Sequence, residues 1–427
     1  MDKLTSALLL ITLSLGLVAG CQPRTVVRTV EVVVTSQPRV VEVTATPVPT
    51  STPPLLVTVS VCANGCDFKT IQAAVDDTHT VDGSTIDVTD AVHTEVDITV
   101  DKDVIIQGHG AANTIVQAHE SVEAAAGRVF LVTDGASVTI RRMTIRHGNP
   151  PEHLRTGGGI YNDYFCALAL RDSVVAHNVA SDGAGISNRG TMTITNCIIS
   201  DNVADGIEEP GHQCGNGGGI KAVATATTMI ANSTISGNHA AGRGGGIKSN
   251  CDGTMEIVNC TISGNTARDS VAGIYARGSV TITHSTIAGN DAANLGKHAG
   301  EASGICVRDL LSFSNTIIAN NGGGPDCGLC ESAGVYGSIG VNANNLIGDG
   351  SCHADLTGDP MLGPLADNGG RSIGAGHTLQ THALLPGSPA IDAIPTDACN
   401  VDSDQRGEPR PRGAGCDVGA YELQANQ

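Results

Sequence analysis

The chain has 427 residues and a formal net charge of −19, from 24 Lys and Arg against 43 Asp and Glu. An acidic balance of this size argues against a nucleic-acid partner, whose phosphates would be repelled, so an anion-binding site must be a local basic patch. Aromatic residues make up 2% of the chain, tryptophan is absent and 54 residues are glycine. A core without large rings is filled by small aliphatic side chains, which suits a regular, thin-walled stack.

The N-terminal segment reads as an export signal. Lys3 precedes an apolar run over 4–17, which is too short for a transmembrane helix and ends in the small residues before Cys21. The ending Val-Ala-Gly-Cys resembles the bacterial lipobox. The resemblance implies that residues 1–20 are removed, that Cys21 is lipidated and that the protein lies outside the cytoplasm, held at the membrane of the cell envelope. A buried core helix is the alternative.

Residues 21–57 are rich in Val, Thr and Pro and predict a semi-extended tether. The prolines that would interrupt a β-ladder here are Pro38, Pro47, Pro49, Pro53 and Pro54. An edge strand over 30–34 is the alternative. No second apolar segment long enough to span a membrane follows, which favours an anchored protein.

Two short sequence motifs, GGGI and TISGN or close variants of them, recur through the rest of the chain. The stretch GRGGGIKS at 242–249 is not a phosphate-binding loop, because Ile247 stands where the second glycine is required. The isoleucines that end the GGGI motif or its variants are Ile160, Ile186, Ile220, Ile247, Ile274 and Ile305. The asparagines that end the TISGN motif or its variants are Asn178, Asn202, Asn238, Asn265, Asn290 and Asn320. Two registers advancing together indicate one structural unit per repeat.

Residues alternate between apolar and polar within each repeat, as at 280–283, which predicts strands of three to five residues. Short strands separated by Gly and Asn corners favour a parallel β-helix, with coils about 4.8 Å apart. We expect one parallel coil from about 96 to 350. One predicted interior column is Val175, Ile199, Ile235, Ile262, Ile287 and Ile317. A neighbouring column of small residues is Ser173, Cys197, Ser233, Cys260, Ser285 and Asn315.

Three stretches carry family resemblances. GGGI with TISGN resembles the GGxI/FxxN repeats of polymorphic outer-membrane proteins, and 67–110 is similar to the entry segment of pectin-lyase-like right-handed β-helices. In that family a short helix, here near Thr70–Asp76, plugs the open end. Residues 359–422 resemble the choice-of-anchor Q module. The implied fold is all-β, a single-stranded right-handed parallel β-helix with a cap and first coils over 58–135, repeats over 136–350 and an irregular module over 351–427.

The cysteines after Cys21 predict local disulfides. Cys62 with Cys66 and Cys399 with Cys416 are candidate pairs, and Cys352 has Cys327 or Cys330 as alternative partners. Cys197 and Cys260 share a column two coils apart, beyond disulfide reach, and are expected to be buried fillers. No metal site is predicted, because 327–330 is the one CxxC and has no second pair. No cofactor is expected. Calcium at Asp402 and Asp404 is an alternative to capping hydrogen bonds there.

The residue after each repeat isoleucine is expected to face solvent. These residues are Tyr161, Ser187, Lys221, Lys248, Tyr275 and Cys306, and two positions further on stand Asp163, Arg189, Val223, Asn250, Arg277 and Arg308. Insertions over 204–216 and 292–302 would rim this face. The predicted ligand-binding residues are Tyr161, Arg189, Lys221, Lys248, Tyr275, Arg277 and Arg308. A solvated face with chance charge is the alternative.

No G-x-S-x-G or H-E-x-x-H motif is present, so no catalytic residue is assigned. The sequence favours a lipid-anchored protein that binds surface polymers, above all uronate-containing or sulfated polysaccharide, or a surface protein. The alternatives are a polysaccharide lyase or glycoside hydrolase of the pectin-lyase-like type, and a structural spacer.

Overall fold

The computed structural model describes residues 56–151, 156–206, 215–223, 225–250, 253–293, 301–332, 335–374 and 376–424. These residues belong to one compact unit. The predicted signal, the lipidated Cys21 and nearly all of the tether lie outside the described residues. Within the described ranges no helix is long and apolar enough to cross a membrane.

The chain winds as a parallel β-helix, and each full coil contributes a strand to each of three long sheets. The first sheet has eleven described strands, in which alternate side chains point into the core. They are Thr58–Val61, Thr85–Val88, Ile105–Gln107, Ser137–Arg141, Ala167–Arg171, Thr191–Thr195, Thr227–Ala231, Thr254–Val258, Ser279–Thr283, Leu310–Ser314 and Ser338–Ala343.

The second sheet has nine described strands and contains the repeat isoleucines. Its strands are Ile98–Val100, Phe130–Val132, Ile160–Asn162, Ile186–Asn188, Ile220–Ala222, Ile247–Ser249, Ile274–Ala276, Ile305–Val307 and Cys327–Leu329.

The third sheet has eleven described strands, and a short fourth sheet of five forms a corner. The third sheet consists of Val92–Thr94, Ile115–Gln117, Thr144–Arg146, Val174–Ala176, Ile198–Ser200, Thr234–Ser236, Thr261–Ser263, Thr286–Ala288, Ile317–Ala319, Leu346–Ile347 and Leu356–Thr357. The fourth consists of Val179–Ala180, Val203–Ala204, His239–Ala240, Thr266–Ala267 and Asp291–Ala292.

The remaining described elements are short. Antiparallel pairs join Glu331–Ser332 to Val335–Tyr336, Leu362–Ala366 to Thr381–Leu384, and Ser372–Gly374 to His377–Thr378. The 3₁₀ turns are Val122–Ala124, Ser351–His353 and Thr396–Ala398. Parallel pairing therefore runs from Thr58 to Thr357, beyond both ends of the expected coil.

A helix closes the N-terminal end, as predicted. It spans Ile71–Asp76 and begins after Thr70, whose hydroxyl accepts a hydrogen bond from the Ala73 N–H at 3.1 Å. The Glu95 carboxylate accepts from the next free N–H groups, of Ile71 at 2.7 Å and Gln72 at 2.9 Å. The apolar face of this helix covers the first coil of the core.

A buried asparagine ladder joins successive coils. The Nδ2 of each asparagine donates to the Oδ1 of the next at 2.9 Å, through Asn178, Asn202, Asn238, Asn265, Asn290 and Asn321. The ladder ends at Asp326, whose carboxylate accepts from Asn321 at 2.9 Å. The last predicted member, Asn320, is wrong: it takes the left-handed corner conformation at φ 59°, and its neighbour Asn321 enters the ladder.

The predicted interior columns are observed up to their last members. Ile287 pairs with Ile318, and Ile317 stands opposite Thr286 with its side chain against the C-terminal segment. In the small-residue column the last member is Thr316, whose hydroxyl accepts from the Ser285 N–H at 3.4 Å. The displacement arises because Asn315 occupies the left-handed corner, at φ 55°.

The described residues contain four disulfides. Cys62 is bonded to Cys66, Cys399 to Cys416 and Cys327 to Cys352, which selects between the two alternatives for Cys352. The fourth bond joins Cys306 to Cys330. It was not predicted, because Cys306 was assigned to a solvent-facing column and is buried. Cys197 and Cys260 are free and buried.

The C-terminal segment, residues 359–424, packs on the outer face of the third sheet. The Thr234 hydroxyl donates to the Gln380 carbonyl at 2.8 Å, and the Thr261 hydroxyl donates to Gln405 Oε1 at 2.6 Å. Further along, the Ala420 N–H donates to the Thr286 hydroxyl at 3.0 Å. Outward-facing threonines of this sheet are consequently buried.

Buried charges hold the last part of this segment together. The Asp404 carboxylate accepts from the N–H groups of Arg406 and Glu408 and lies 2.8 Å from the Arg406 guanidinium. Arg410 donates to the His284 ring at 3.1 Å, and the other ring nitrogen of His284 is 2.6 Å from Asn400 Oδ1. Burial, followed by the charge of Arg410, lowers the pKa of His284 to about 4.

Ile262 lies in the middle of the interior column and is fully buried. We expect Ile262→Ala to lower the free energy of unfolding by about 2–5 kcal/mol, because it leaves a cavity between coils. Urea denaturation measures the change. Thr281→Ala, at an exposed position of the first sheet, should change stability little. Equal effects of the two substitutions would contradict the stacked core.

Protonation of His284 should destabilise the fold in acid. Its pKa falls from 6.5 to about 4 on folding, so the unfolded chain takes up a proton that the native protein excludes, and stability is lost as pH falls through that interval. The loss should approach about 3 kcal/mol. His284→Asn should remove this pH dependence, since Asn259 and Asn315 hold the same left-handed corner in the adjoining coils. Urea unfolding of both proteins across this pH range tests it, and identical slopes would contradict it.

Candidate functional site

The predicted column on the second sheet is in register, and it is buried. Pairing places Tyr161, Ser187, Lys221, Lys248, Tyr275 and Cys306 on successive coils. All are buried, with Lys248 only 2% exposed, so the expectation of an open face is wrong for these positions. The flanking insertions expected over 204–216 and 292–302 lie largely outside the described residues.

The corner glycines explain the burial. Gly217 and Gly244 have φ of 66° and 69°, which turns the chain ahead of each strand back over it. A Cβ added at Gly217 would stand 2.9 Å from the Cβ of Lys221, and one at Gly244 2.9 Å from that of Lys248. The corner backbone therefore lies directly against the strand residue that alternation assigned to solvent.

Lys221 is neutralised by a carboxylate of the preceding coil. Its ammonium lies 2.7 Å from Asp182, and both side chains are mostly buried. Asp182 also accepts from the backbone N–H of Asn216 at 2.9 Å. Lys221 therefore has a structural role as one half of a buried ion pair.

Arg243 is the centre of a second polar group. Its guanidinium lies 3.2 Å from Asp269 and 3.5 Å from Glu301, and it donates to the Tyr275 hydroxyl at 3.3 Å. Glu301 also accepts from the Ser270 hydroxyl. Asp182, Asn216, Arg243, Ser270 and Glu301 all stand four residues before a repeat isoleucine. They were missed because only residues after the isoleucine were aligned; the same alignment extended backward contains them.

Lys248 has no carboxylate or hydrogen-bond partner among the described residues. Its ammonium lies 5.5 Å from the centroid of the Tyr275 ring, and Lys221 is its register neighbour on the other side. Burial, followed by the positive charge of Lys221, lowers the pKa of Lys248 to about 7. The lysine is therefore partly neutral near neutral pH, and a neutral amine is a base or a nucleophile.

Three arginines from the second predicted column form the edge of this buried cluster. Arg189 and Arg277 are partly buried and the Arg308 side chain is only 12% exposed, and the Nε of each is buried with no acceptor among the described residues. The Arg308 guanidinium lies 5.3 Å from the Tyr275 centroid, and its nearest carboxylate oxygen, on Glu301, is 3.8 Å away. We call Arg189, Arg277 and Arg308 the arginine edge.

Tyr161 occupies the far end of the same face. The guanidinium groups of Arg128 and Arg189 lie 4.9 and 5.3 Å from its ring centroid, and its hydroxyl donates to Asp163 at 3.4 Å. The seven predicted residues therefore lie along one face of the coil. Lys221, Lys248 and Tyr275 form a buried cluster on adjacent coils, Tyr161 is buried two coils before Lys221, and the three arginines form the arginine edge.

In the described ranges no group of three or more His, Cys, Asp or Glu side chains is arranged to hold a metal ion. Asp404, one of the two possible calcium ligands, is fully engaged with Arg406 and backbone N–H groups.

Comparison with known proteins agrees with this coil geometry. Residues 127–321 match the family model described as right handed beta helix region, so the coil is a right-handed parallel β-helix. Solved structures with similar folds include pectate lyase Pel9A, with a TM-score of 0.47, 14% identity and coverage of 86% of this chain and 96% of that one. Pectin methylesterase from Aspergillus niger has a TM-score of 0.40 at 14% identity, covering 73% of this chain and 91% of that one. No curated protein matches the sequence.

Removing the buried charge of Lys248 should stabilise the protein. Its pKa falls from 10.5 in the unfolded chain to about 7, so native stability is lost as pH falls from the first value to the second. Lys248→Met should therefore raise the free energy of unfolding by a few kcal/mol (on the order of 1.4 per pKa unit) near neutral pH, and the gain should vanish at high pH. Urea unfolding of both proteins against pH measures this.

Lys221→Met is the matched control, since Lys221 occupies the same position after the GGGI motif in the preceding coil. It leaves the buried Asp182 without its cation and should destabilise the protein at neutral pH. If both variants were destabilised alike, the difference between the paired and the unpaired lysine would be refuted.

Proposed function

We propose that this protein binds acidic polysaccharide, of the uronate or sulfated type, along the arginine edge. The observation that supports the proposal is the set of three partly exposed guanidinium groups whose Nε atoms have no acceptor among the described residues. A buried hydrogen-bond donor without a partner is costly, and a carboxylate or sulfate oxygen would satisfy it once binding had shifted the guanidinium enough to expose the Nε.

The spacing of the edge suits a chain ligand. Arg277 and Arg308 belong to adjacent coils, so they are separated by about 4.8 Å along the axis, and Arg189 lies three coils from Arg277, about 14 Å. A guanidinium grips a carboxylate with two parallel hydrogen bonds. The net charge of −19 repels a polyanion elsewhere, which would confine binding to this edge.

The proposal includes display outside the cytoplasm, through lipidation of Cys21 in a bacterial envelope. The four disulfides are consistent with an oxidising compartment.

Eliminative cleavage is the second candidate, and Lys248 favours it. In such a reaction an arginine neutralises the substrate carboxylate, the base removes the proton from the adjacent carbon, and the glycosidic C–O bond breaks to leave a double bond, while the departing oxygen takes a proton from water. A lysine with a pKa of about 7 is a suitable base. Because Lys248 is only 2% exposed, a substrate would first have to displace the cover, and binding is therefore placed first.

The test uses Arg277, whose guanidinium has no ion-pair or hydrogen-bond partner among the described residues, so its replacement should disturb the fold little. We expect wild-type protein to bind polygalacturonate or a sulfated glycosaminoglycan weakly, and more weakly at physiological than at low salt. Arg277→Gln should weaken binding about tenfold at low salt. Arg171→Gln, at an exposed position of the first sheet, is the control and should bind as wild type.

Calorimetric titration measures these affinities, and ultraviolet absorbance of the unsaturated product follows elimination in the same samples. Equal binding by wild type and Arg277→Gln would refute the arginine edge. Elimination by wild type that Lys248→Met abolishes would establish the second candidate.

A further inference from the structure

Two exposed aromatic rings stand at one end of the arginine edge. Tyr164 is 45% and Phe165 91% exposed, in the turn between the strands Ile160–Asn162 and Ala167–Arg171. The whole chain has only 5 Tyr and 4 Phe. A protein this poor in aromatic residues would be expected to bury its rings, as it buries Phe130, Phe313 and Tyr275.

The backbone at Phe165 is strained as well as exposed. Its φ is 65°, in the left-handed region that bulky residues avoid. Pairing of Ala167 with Ser137 places Phe165 opposite Gly135, which has φ 77°. The adjacent coil thus uses glycine at the same corner. The Phe165 ring meets the Tyr164 ring at a centroid distance of 6.4 Å and is otherwise solvated, which points to contact with another molecule as the reason for a strained ring here.

Arg189 links these rings to the edge. Its guanidinium lies 5.1 Å from the Tyr164 centroid and 5.3 Å from that of Tyr161, which fixes it between two rings. The Nε remains without an acceptor among the described residues. The turn therefore places two exposed rings, inclined at 48° to each other, beside a cation that has no carboxylate partner among the described residues.

We propose that Phe165, Tyr164 and Arg189 form a subsite for one uronic acid residue, with the apolar face of the sugar ring stacked on Phe165 and its carboxylate held by Arg189. The proposal rests on the proposed function and locates one end of the bound polymer. A protein partner is disfavoured because a stable interface needs on the order of 1,000 Å², and two rings supply a fraction of that area.

The absence of tryptophan from the chain provides a direct probe. Phe165→Trp keeps a stacking ring and introduces a single tryptophan, whose fluorescence should change on titration with galacturonate oligosaccharides and saturate at the Kd found by calorimetry. Phe165→Gly should weaken that binding about fivefold. It should also leave thermal stability unchanged or raised, since glycine prefers this backbone conformation, whereas a ring with a structural role would give a loss.

The controls separate this subsite from the arginine edge. If oligosaccharide binds by calorimetry, weakens in Arg277→Gln, and yet leaves the Phe165→Trp fluorescence and the Phe165→Gly affinity unchanged, the subsite is refuted and the proposed function stands. If wild-type protein binds no acidic oligosaccharide or polymer, the proposed function fails and the subsite with it. Binding that Phe165→Gly weakens for neutral oligosaccharides equally would overturn the assignment of Arg189 as the carboxylate partner.

Discussion

The asparagine ladder is the contact on which the coil depends. Each carboxamide donates to the next along the axis, and the ladder runs through the interior without a break from Asn178 to Asp326. The backbone N–H of Asn202 also donates to the side chain of Asn238 at 3.1 Å, which repeats in later coils and fixes one register for adjacent turns. Because each buried amide left without a partner costs free energy, a slip by one residue along the whole ladder would be costly. The isoleucine columns, the buried cluster around Lys248 and the arginine edge share this register.

The sequence predicted this register well and its surface badly. The spacing of the GGxI motif and the alternation of side chains around it place Lys221, Lys248 and Tyr275 on adjacent coils. This follows because residues one repeat apart in the sequence stack directly above one another in a parallel coil. Alternation says which side of a strand a residue occupies, but it contains nothing on what covers that side. The cover comes from the backbone conformation of Gly217 and Gly244. Asn320 and Asn321 show a second limit of prediction from sequence. One asparagine forms the left-handed corner and the other joins the ladder, and the repeat spacing alone does not tell which residue takes which position.

Two copies of the same sequence motif can have different electrostatic environments. The two GGGIK motifs differ in the coil before them: Asp182 precedes Lys221, and Asn216 holds the equivalent position before Lys248. One lysine is consequently bound in an ion pair at 2.7 Å, and the other is buried among cations. The coil requires small residues at its corners, and a single side chain elsewhere in a repeat can differ between coils with little effect on the fold. Chemistry can thus be confined to one coil of a regular stack.

The C-terminal segment has a consequence for how the molecule comes apart. A stack whose coils touch only their neighbours can fray from either end, with each coil melting nearly independently. Here Ile373 packs against Ala111 and Val174, and the residues that follow bond to Thr234, Thr261 and Thr286 in successive coils. One stretch of chain thereby ties early coils to late ones across long sequence separations. Loss of a coil that this segment contacts would expose part of the shared seam, so we expect those coils to unfold together.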